Sequence, residues 1–348
     1  MKIGIAFDLA PVAPALPLEG PDDRFEEFDK PETVEAIAEV IRGEGHEVVL
    51  LGDGRDFLEK VLADPPDFVF NIAEGEGVGR CREARVPAAL EMLGIPYSGS
   101  DPLTLAACLD KSVAKRLVAT ESEVKFPRSW TFDDRRPGFS EVVLKGIFGE
   151  YNGLKPGGPA STLIFKPAFE GSSKGIRDRC IADDAEEAIA IYRRLIRDYR
   201  QPILAEEFIS GDEVTVGVIG KYDRSPYAIG AMRIVPKQPD DRFVYSLEVK
   251  RDWRNRVSYE APPDLPDPVV ADLALDACYA YSALGCRDFA RIDFRVRDGV
   301  PYFIEANPLP GLAPVTSDLV ILAEGHGIGY ADLIRMILHA SLTRVGLS

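Results

Sequence analysis

Strand and helix signals alternate through the first hundred residues, and that order restricts the fold more than any other feature of the chain. Residues 2–7 read as a buried strand, 47–51 as a second and 68–71 as a third, with helical stretches at 32–42 and 56–62 between them. Such βαβαβ order builds a parallel sheet, because parallel neighbours need a long crossover and a helix provides it. Loops at the C-terminal ends of these strands border a crevice. A loop rich in Pro, Ala and acid follows the first strand. Asp29, Pro31 and Glu32 then predict a helix start with Asp29 as N-cap, and Gly43-Glu44-Gly45 its end. A helix over 86–93 leads into Tyr97-Ser98-Gly99-Ser100, where an N-terminal α/β domain closes at residue 101.

Beyond it strands follow one another more directly, at 163–166, 203–209 and 214–219 and in a pair flanking Asp298-Gly299. Helices are expected at 111–119, 184–199, 269–284 and 330–341; the second of these carries Ala188, Ile191, Leu195 and Ile196 on one face. This pattern favours an α+β arrangement, divided here into lobes at 102–208 and 209–348.

The 348 residues are 46% hydrophobic and 28% charged, which suits a folded core and not a disordered chain. With 41 Lys+Arg against 57 Asp+Glu the net charge is −16, so neither nucleic acid nor an anionic membrane is an expected partner. No apolar run reaches the roughly 20 residues of a membrane span. Cys81, Cys108, Cys180, Cys278 and Cys286 show no Cys-x-x-Cys spacing and read as free thiols of a cytoplasmic protein. His46, His326 and His339 are scattered, so a histidine-based metal site is not expected.

The densest chemistry lies in Arg291-Ile292-Asp293-Phe294-Arg295 and, past the turn, in Glu305-Ala306-Asn307. Alternation puts Arg291, Asp293 and Arg295 on one face and Ile292, Phe294 and Val296 on the other. Whether Asp293 faces Glu305 depends on the turn. A two-residue loop would send them to opposite sides, so a three-residue loop, Arg297-Asp298-Gly299 with left-handed Gly299, is predicted. Asp293, Glu305 and Asn307 would then offer two carboxylates and an amide oxygen to Mg²⁺.

Lys166 ends a strand and precedes Gly171-Ser172-Ser173-Lys174-Gly175, small residues whose backbone N–H groups suit a phosphate. The Walker spacing is absent, and a plain turn would read the same way. Glu206-Glu207-Phe208-Ile209 ends another strand; its backbone could meet an adenine edge and Glu213 a ribose, or the paired acids could simply face solvent.

Taken together, Lys111, Lys166, Ser172, Glu206, Glu213, Asp293, Glu305 and Asn307 stand in the order and spacing of the ATP-grasp superfamily. Tyr97-Ser98-Gly99-Ser100, Asp110-Lys111, Glu213-Val214-Thr215-Val216, Lys250 and Pro310-Gly311 extend the likeness over nearly the whole chain, which resembles the D-alanine–D-alanine ligases. The resemblance implies an ATP-grasp fold of two lobes behind the α/β domain, and an ADP-forming carboxylate–amine ligase that uses ATP and a pair of Mg²⁺ ions. It places Lys111, Lys166 and Lys250 on the ATP phosphates, with Ser172 and Ser173 in the loop above them. Glu206 would accept from the adenine amino group, the backbone of Glu207, Phe208 and Ile209 would flank the base, and Glu213 would hold the ribose. Asp293, Glu305 and Asn307 would ligate metal. Arg291, Ser172 and Gly311 would serve acyl transfer, Arg291 and the Gly311 backbone by stabilising the oxyanion.

Three places depart from the family's pattern, all at the amino-acid pockets. The loop around Phe25-Glu26-Glu27-Phe28 carries Glu27 near the family's amine-binding glutamate but has no serine. Arg251 follows Lys250 where the family has a tyrosine, and the loop after Asn71 lacks the usual histidine. Arg251 is expected to pair with Glu27 or to receive a substrate carboxylate; Thr316 completes the candidate substrate residues. Partners are then small amino acids or other carboxylates, D-alanine being one, with a homodimer as the oligomeric state to test. The alternatives are a kinase-like transfer to a hydroxyl, which leaves Arg291 and Gly311 without a task, and a non-catalytic nucleotide binder, which gains little from Asp293, Glu305 and Asn307.

Overall fold

The alternating first segment folds as β1 (Lys2–Ala6), α1 (Pro31–Gly43), β2 (Glu47–Gly52), α2 (Gly54–Ala63), β3 (Phe68–Asn71) and α3 (Arg85–Leu93). The computed structural model describes residues 1–11, 21–121, 123–133, 137–149, 162–177, 179–221 and 224–347; the Pro- and Ala-rich stretch at 12–20 lies outside them. β1 is the central strand of a parallel sheet ordered β2-β1-β3. One face of it buries Ile3, Ile5 and Phe70 under Ile37 and Ile41 of α1; the other buries Leu51 and Val69 against Phe57, Val61 and Leu90 of the helices. Asp29 does not cap α1. Its N–H donates to the Asp8 carbonyl and its own carbonyl accepts from the Ala10 N–H, both at 3.0 Å, so the backbone stays extended and Lys30 becomes the N-cap.

The next segment comprises α4 (Pro102–Leu109), α5 (Lys111–Glu121), β4 (Ser129–Phe132), α6 (Pro137–Ile147), β5 (Leu163–Pro167), β6 (Ile181–Ala182), α7 (Ala185–Tyr199) and β7 (Ile203–Glu207). Its four strands form one sheet, β4-β7-β5-β6. Phe165 and Ala205 pack on Ala188, Ile191 and Leu195 of α7. By alternation, Lys166 and Glu206 therefore project from the opposite face.

The last segment holds β8 (Asp212–Lys221), β9 (Arg224–Pro236), α8 (Leu247–Arg251), α9 (Trp253–Arg256), β10 (Val257–Glu260), α10 (Asp267–Ala283), β11 (Phe289–Arg297), β12 (Val300–Asn307), α11 (Asp318–Gly325) and α12 (Tyr330–Val345). Its antiparallel sheet runs β10-β9-β8-β11-β12. The 13-residue β9 escapes a reading of the sequence because Pro226 and Gly230 break its apolar run; Met232 and Ile234 hold it by packing on Phe243, Tyr245 and Val257. The cores interlock. Ala114 and Val118 of α5 pack with Val216, Ile292, Phe294 and Leu273 under the five-stranded sheet. Leu333 and Ile337 of α12 pack on the N-terminal sheet. Each of the Val, Leu, Ile and Phe side chains contributes about 1.5–3 kcal/mol on burial.

The hairpin joining β11 and β12 has a two-residue turn, not the expected three-residue loop. Arg297 pairs with Val300, and Asp298 (φ 54°) and Gly299 (φ 73°) are both left-handed. Next to that turn the register would separate Asp293 from Glu305. A β-bulge restores it: Phe294 pairs with Phe303 while Asp293 pairs with Glu305, and Ile304 is left over between them.

Candidate active site

Pairing across β8, β11 and β12 assembles one polar face. Arg291 lies opposite Asn307, Asp293 between Thr215 and Glu305, and Arg295 opposite Glu213. Arg291 grips Asp293 with two hydrogen bonds, at 2.9 and 2.8 Å, and reaches Asp318 at 3.5 Å. Asp293 also accepts from the Thr215 hydroxyl at 2.6 Å and the Asn307 amide at 3.0 Å. Glu305 pairs with Lys111 at 2.8 Å. Burial alone would raise the Glu305 carboxyl, but Lys111 and Lys166 hold it far below the usual range. Burial would likewise lower Arg291, and Asp293 outweighs it, so the guanidinium stays charged.

Over this face, between the four- and five-stranded sheets, lies a cleft. Ile164, Phe208, Ile209, Val214, Ile234 and Ile304 supply its apolar walls, and Lys166, Ser173, Glu206, Glu207, Glu213 and Lys250 its polar ones. Lys250, on α8, sits 4.9 Å from the Tyr245 ring centre. Arg295 ties the segment beside the base-sized end together, donating to Glu213 at 2.6 Å and to the carbonyls of Ile209, Gly211 and Phe243. Glu206 lines the cleft where the resemblance places it, and two lysines hold it there. Its side chain is 1% exposed; one oxygen holds Lys115 and the other Lys166 at 2.5 Å. Burial lowers the Lys115 ammonium to about 8, with Lys166 adding like-charge repulsion.

The loop at 169–175 separates this cleft from a second pocket, lined by Glu27, Glu74, Glu83, Lys111, Glu170, Gly171, Ser172, Arg291, Asn307 and Gly311. Ser172 (φ 47°) and Ser173 (φ 60°) are both left-handed, a conformation costing about 1–2 kcal/mol each. What holds it comes from both sides. The Ser173 hydroxyl donates to the Tyr245 carbonyl at 2.8 Å, and Glu27 accepts from the Gly171 N–H at 2.7 Å and Lys174 at 2.9 Å. A Cβ on Gly171 would lie 2.7 Å from that Glu27 oxygen, so any larger residue there would push the Glu27 carboxylate from its partners. Glu27 does not meet Arg251. It pairs with Arg82 through contacts of 3.0 and 2.9 Å, and Arg82 and Lys174 hold its carboxyl low against burial, which alone would raise it. Arg251 instead pairs with Glu26 at 2.7 Å and Asp22 at 3.2 Å on the exposed rim. Thr316 is exposed and does not line the pocket.

The sequence reading missed Lys115, Arg82, Glu83, Lys174 and Asp318. Lys115 had a signal, standing one helical turn after Lys111 on the same face. Arg82 and Glu83 had none, since only folding brings them to Glu27. The five cysteines are free thiols, and among the described residues no helix is long and apolar enough to cross a membrane.

A cleft between two antiparallel sheets, lined by lysines and carboxylates and sharing Arg291 with a second pocket, fits one class: ATP-dependent ligases of the ATP-grasp fold. Residues 161–339 match the family model described as "D-ala D-ala ligase C-terminus". The chain is 30% identical to the D-alanine–D-alanine ligase of Moorella thermoacetica over 88% of its own length and 92% of that protein's. It is 32% identical to D-alanine–D-alanine ligase A of Mesorhizobium japonicum over 86% and 80%. The fold matches that of the Bacillus anthracis D-alanine–D-alanine ligase complexed with ATP, with a TM-score of 0.70 at 24% identity over 100% of both chains. It also matches the VanG D-Ala:D-Ser ligase of Enterococcus faecalis, at 0.70 and 21% over 98% and 99%. The chain belongs to the D-alanine–D-alanine ligase family and is an ADP-forming carbon–nitrogen ligase.

Proposed function

We propose that this ligase joins the carboxylate of one amino acid to the amine of a second through an acyl phosphate, with D-alanine, which its relatives' names give, as the first substrate to test. The observation that carries the reading is Arg291, buried, charged and shared by the nucleotide cleft and the second pocket. Condensing a carboxylate with an amine in water is uphill, so the carboxylate oxygen first attacks the γ-phosphorus of ATP and ADP leaves. Lys166 and Lys250 line the cleft where the phosphates would lie, and Lys111 bounds the second pocket. The neutral amine then attacks the acyl carbon and the carbonyl electrons move onto oxygen; phosphate leaves as the carbonyl reforms, and the nitrogen gives up one proton. Arg291 is placed to stabilise that oxyanion, a contribution of about 3 kcal/mol for a donor of this kind. The loop at 169–175 and α8 exclude water, which would otherwise take the acyl group.

The donor set suits magnesium. Asp293, Glu305 and Asn307 offer only hard oxygen donors on one face, with no competing histidine or thiol; Lys111 and Lys166 hold Glu305 low, and Asp293, at 15% side-chain exposure, would exchange bonds from Arg291, Thr215 or Asn307 for the ion. When bound there, Mg²⁺ would neutralise charge on the transferring phosphoryl group. A phosphotransferase acting on a hydroxyl would give Arg291 no such purpose. The test is ADP release from ATP and Mg²⁺ across a panel of D- and L-amino acids, with products weighed by mass spectrometry. A dipeptide-like product with stoichiometric ADP is expected; no amino-acid-stimulated ADP from any member would overturn the reading.

A further inference from the structure

We infer that Glu74 and Glu83, and not Glu27, receive the ammonium group of the amino acid that gives its carboxylate, in the pocket beside Arg291. The inference rests on the ligase reading above and assigns specificity within it. Glu27 is the glutamate that the family resemblance places on the amine, yet its capacity is used up. One of its oxygens accepts from Arg82 at 3.0 Å and the Gly171 N–H at 2.7 Å, the other from Arg82 and Lys174, both at 2.9 Å. A carboxylate has about four lone-pair sites, and here four bonds fill them. At 3% side-chain exposure Glu27 has no room to turn toward a ligand.

Glu74 and Glu83 share the pocket with Glu27 but not its partners. Both line the same pocket as Arg291, Ser172 and Gly311. Glu83 is 7% exposed, and among the described residues no hydrogen bond or ion pair reaches either carboxyl group. Glu74 is half-buried, and the oxygens of both residues open onto the pocket without a partner, so they are free to take a cation that enters it. Glu83 is faced by Arg82, Glu27, Lys111 and Lys174, and Glu74 by Glu83, Glu27, Arg82 and Asp29. The cations in that set are already engaged: Arg82 and Lys174 by Glu27 and Glu170, and Lys111 by Glu305. Burial raises Glu83 to about 7, and burial with repulsion from Glu83 raises Glu74 well above the usual range. An arriving ammonium would supply the missing counter-charge and displace protons. Glu27 is then a positioning residue that holds the loop at 171–174.

The test compares D-alanine with D-lactate, its 2-hydroxy analogue, on the full chain. Wild type should prefer D-alanine, and Glu74→Gln with Glu83→Gln should shrink that preference by about 10- to 100-fold, the loss expected for a charged hydrogen bond. KM for ATP should change less than about twofold, and the melting temperature should stay level or rise, since a buried unpaired carboxyl is removed. Calorimetry of D-alanine binding near pH 7 in buffers of differing ionisation enthalpy should show proton release in wild type and none in the double variant. If wild type is active but the double variant keeps both its preference and its proton release, while Glu27→Gln loses the preference, the assignment is overturned. If wild type binds and turns over neither compound nor any other amino acid, the ligase reading fails, and this inference with it.

Discussion

Replacing Arg82 by methionine removes the cation on which the loop between the two spaces depends. The side chain is 1% exposed and makes two hydrogen bonds to Glu27, at 3.0 and 2.9 Å, and one to the Phe169 carbonyl at 2.6 Å. Methionine fills much of the volume but leaves Glu27 with Lys174 and the Gly171 N–H alone. Breaking a buried pair from one side costs about 3–5 kcal/mol, and the lost carbonyl bond falls within that figure. At about 1.4 °C per kcal/mol for a chain of 348 residues, the melting temperature should fall by on the order of 4–7 °C. Thermal and urea unfolding followed by circular dichroism give the number. Adding Glu27→Gln should recover part of the loss, because no orphan charge remains, so the double variant should be about 1–3 kcal/mol more stable than the sum of the singles. A melting point within about 1 °C of wild type, or strict additivity, would refute the buried pair.

Asp293→Asn and Glu305→Gln should each lower Mg²⁺-dependent ADP formation by on the order of 10³-fold with the melting point within a few degrees; wild-type rates in both would remove the metal assignment. Burial holds Asp29 near 7 against an ordinary 3.8, so it favours the folded state at acid pH and that contribution is lost as pH rises through 7. Asp29→Asn should therefore raise stability at pH 8 by on the order of 2–4 kcal/mol, with the gain fading toward pH 4. Melting curves across pH decide it, and an equal effect at both ends would contradict the burial argument. Glu27, Glu206 and Glu305 work in the opposite sense. Their folded values are depressed, so their contribution holds above about pH 4.5 and drains away in more acid solution.

How far these residues can be read without coordinates depends on whether their partners are local. The parallel sheet of β1, β2 and β3 follows from a period and a connection rule, both written in consecutive residues. Alternation likewise puts Arg291 and Asp293 on one face. Their alignment with Glu305 was expected for the wrong reason, since the shift comes from a bulge at Ile304 and the turn has two residues. A bulge is a compromise with the neighbouring strand, and nothing in Phe303-Ile304-Glu305 marks it. Asp29 looks like a cap by composition, but pairing with the segment at 8–10 claims its backbone. Glu206 shows the limit for charges: its partners Lys115 and Lys166 come from a helix and a strand 91 and 40 positions away. Arg251 misses Glu27 by one residue in the chain and finds Glu26, which turns a predicted pocket contact into a rim clasp.

The most direct measurement follows oxygen. D-alanine carrying ¹⁸O in its carboxylate is turned over with unlabelled ATP and Mg²⁺, and the inorganic phosphate is weighed. An acyl phosphate hands one carboxylate oxygen to phosphate, so one ¹⁸O per phosphate is predicted for each peptide bond formed. Peptide product accompanied by unlabelled phosphate would contradict the account.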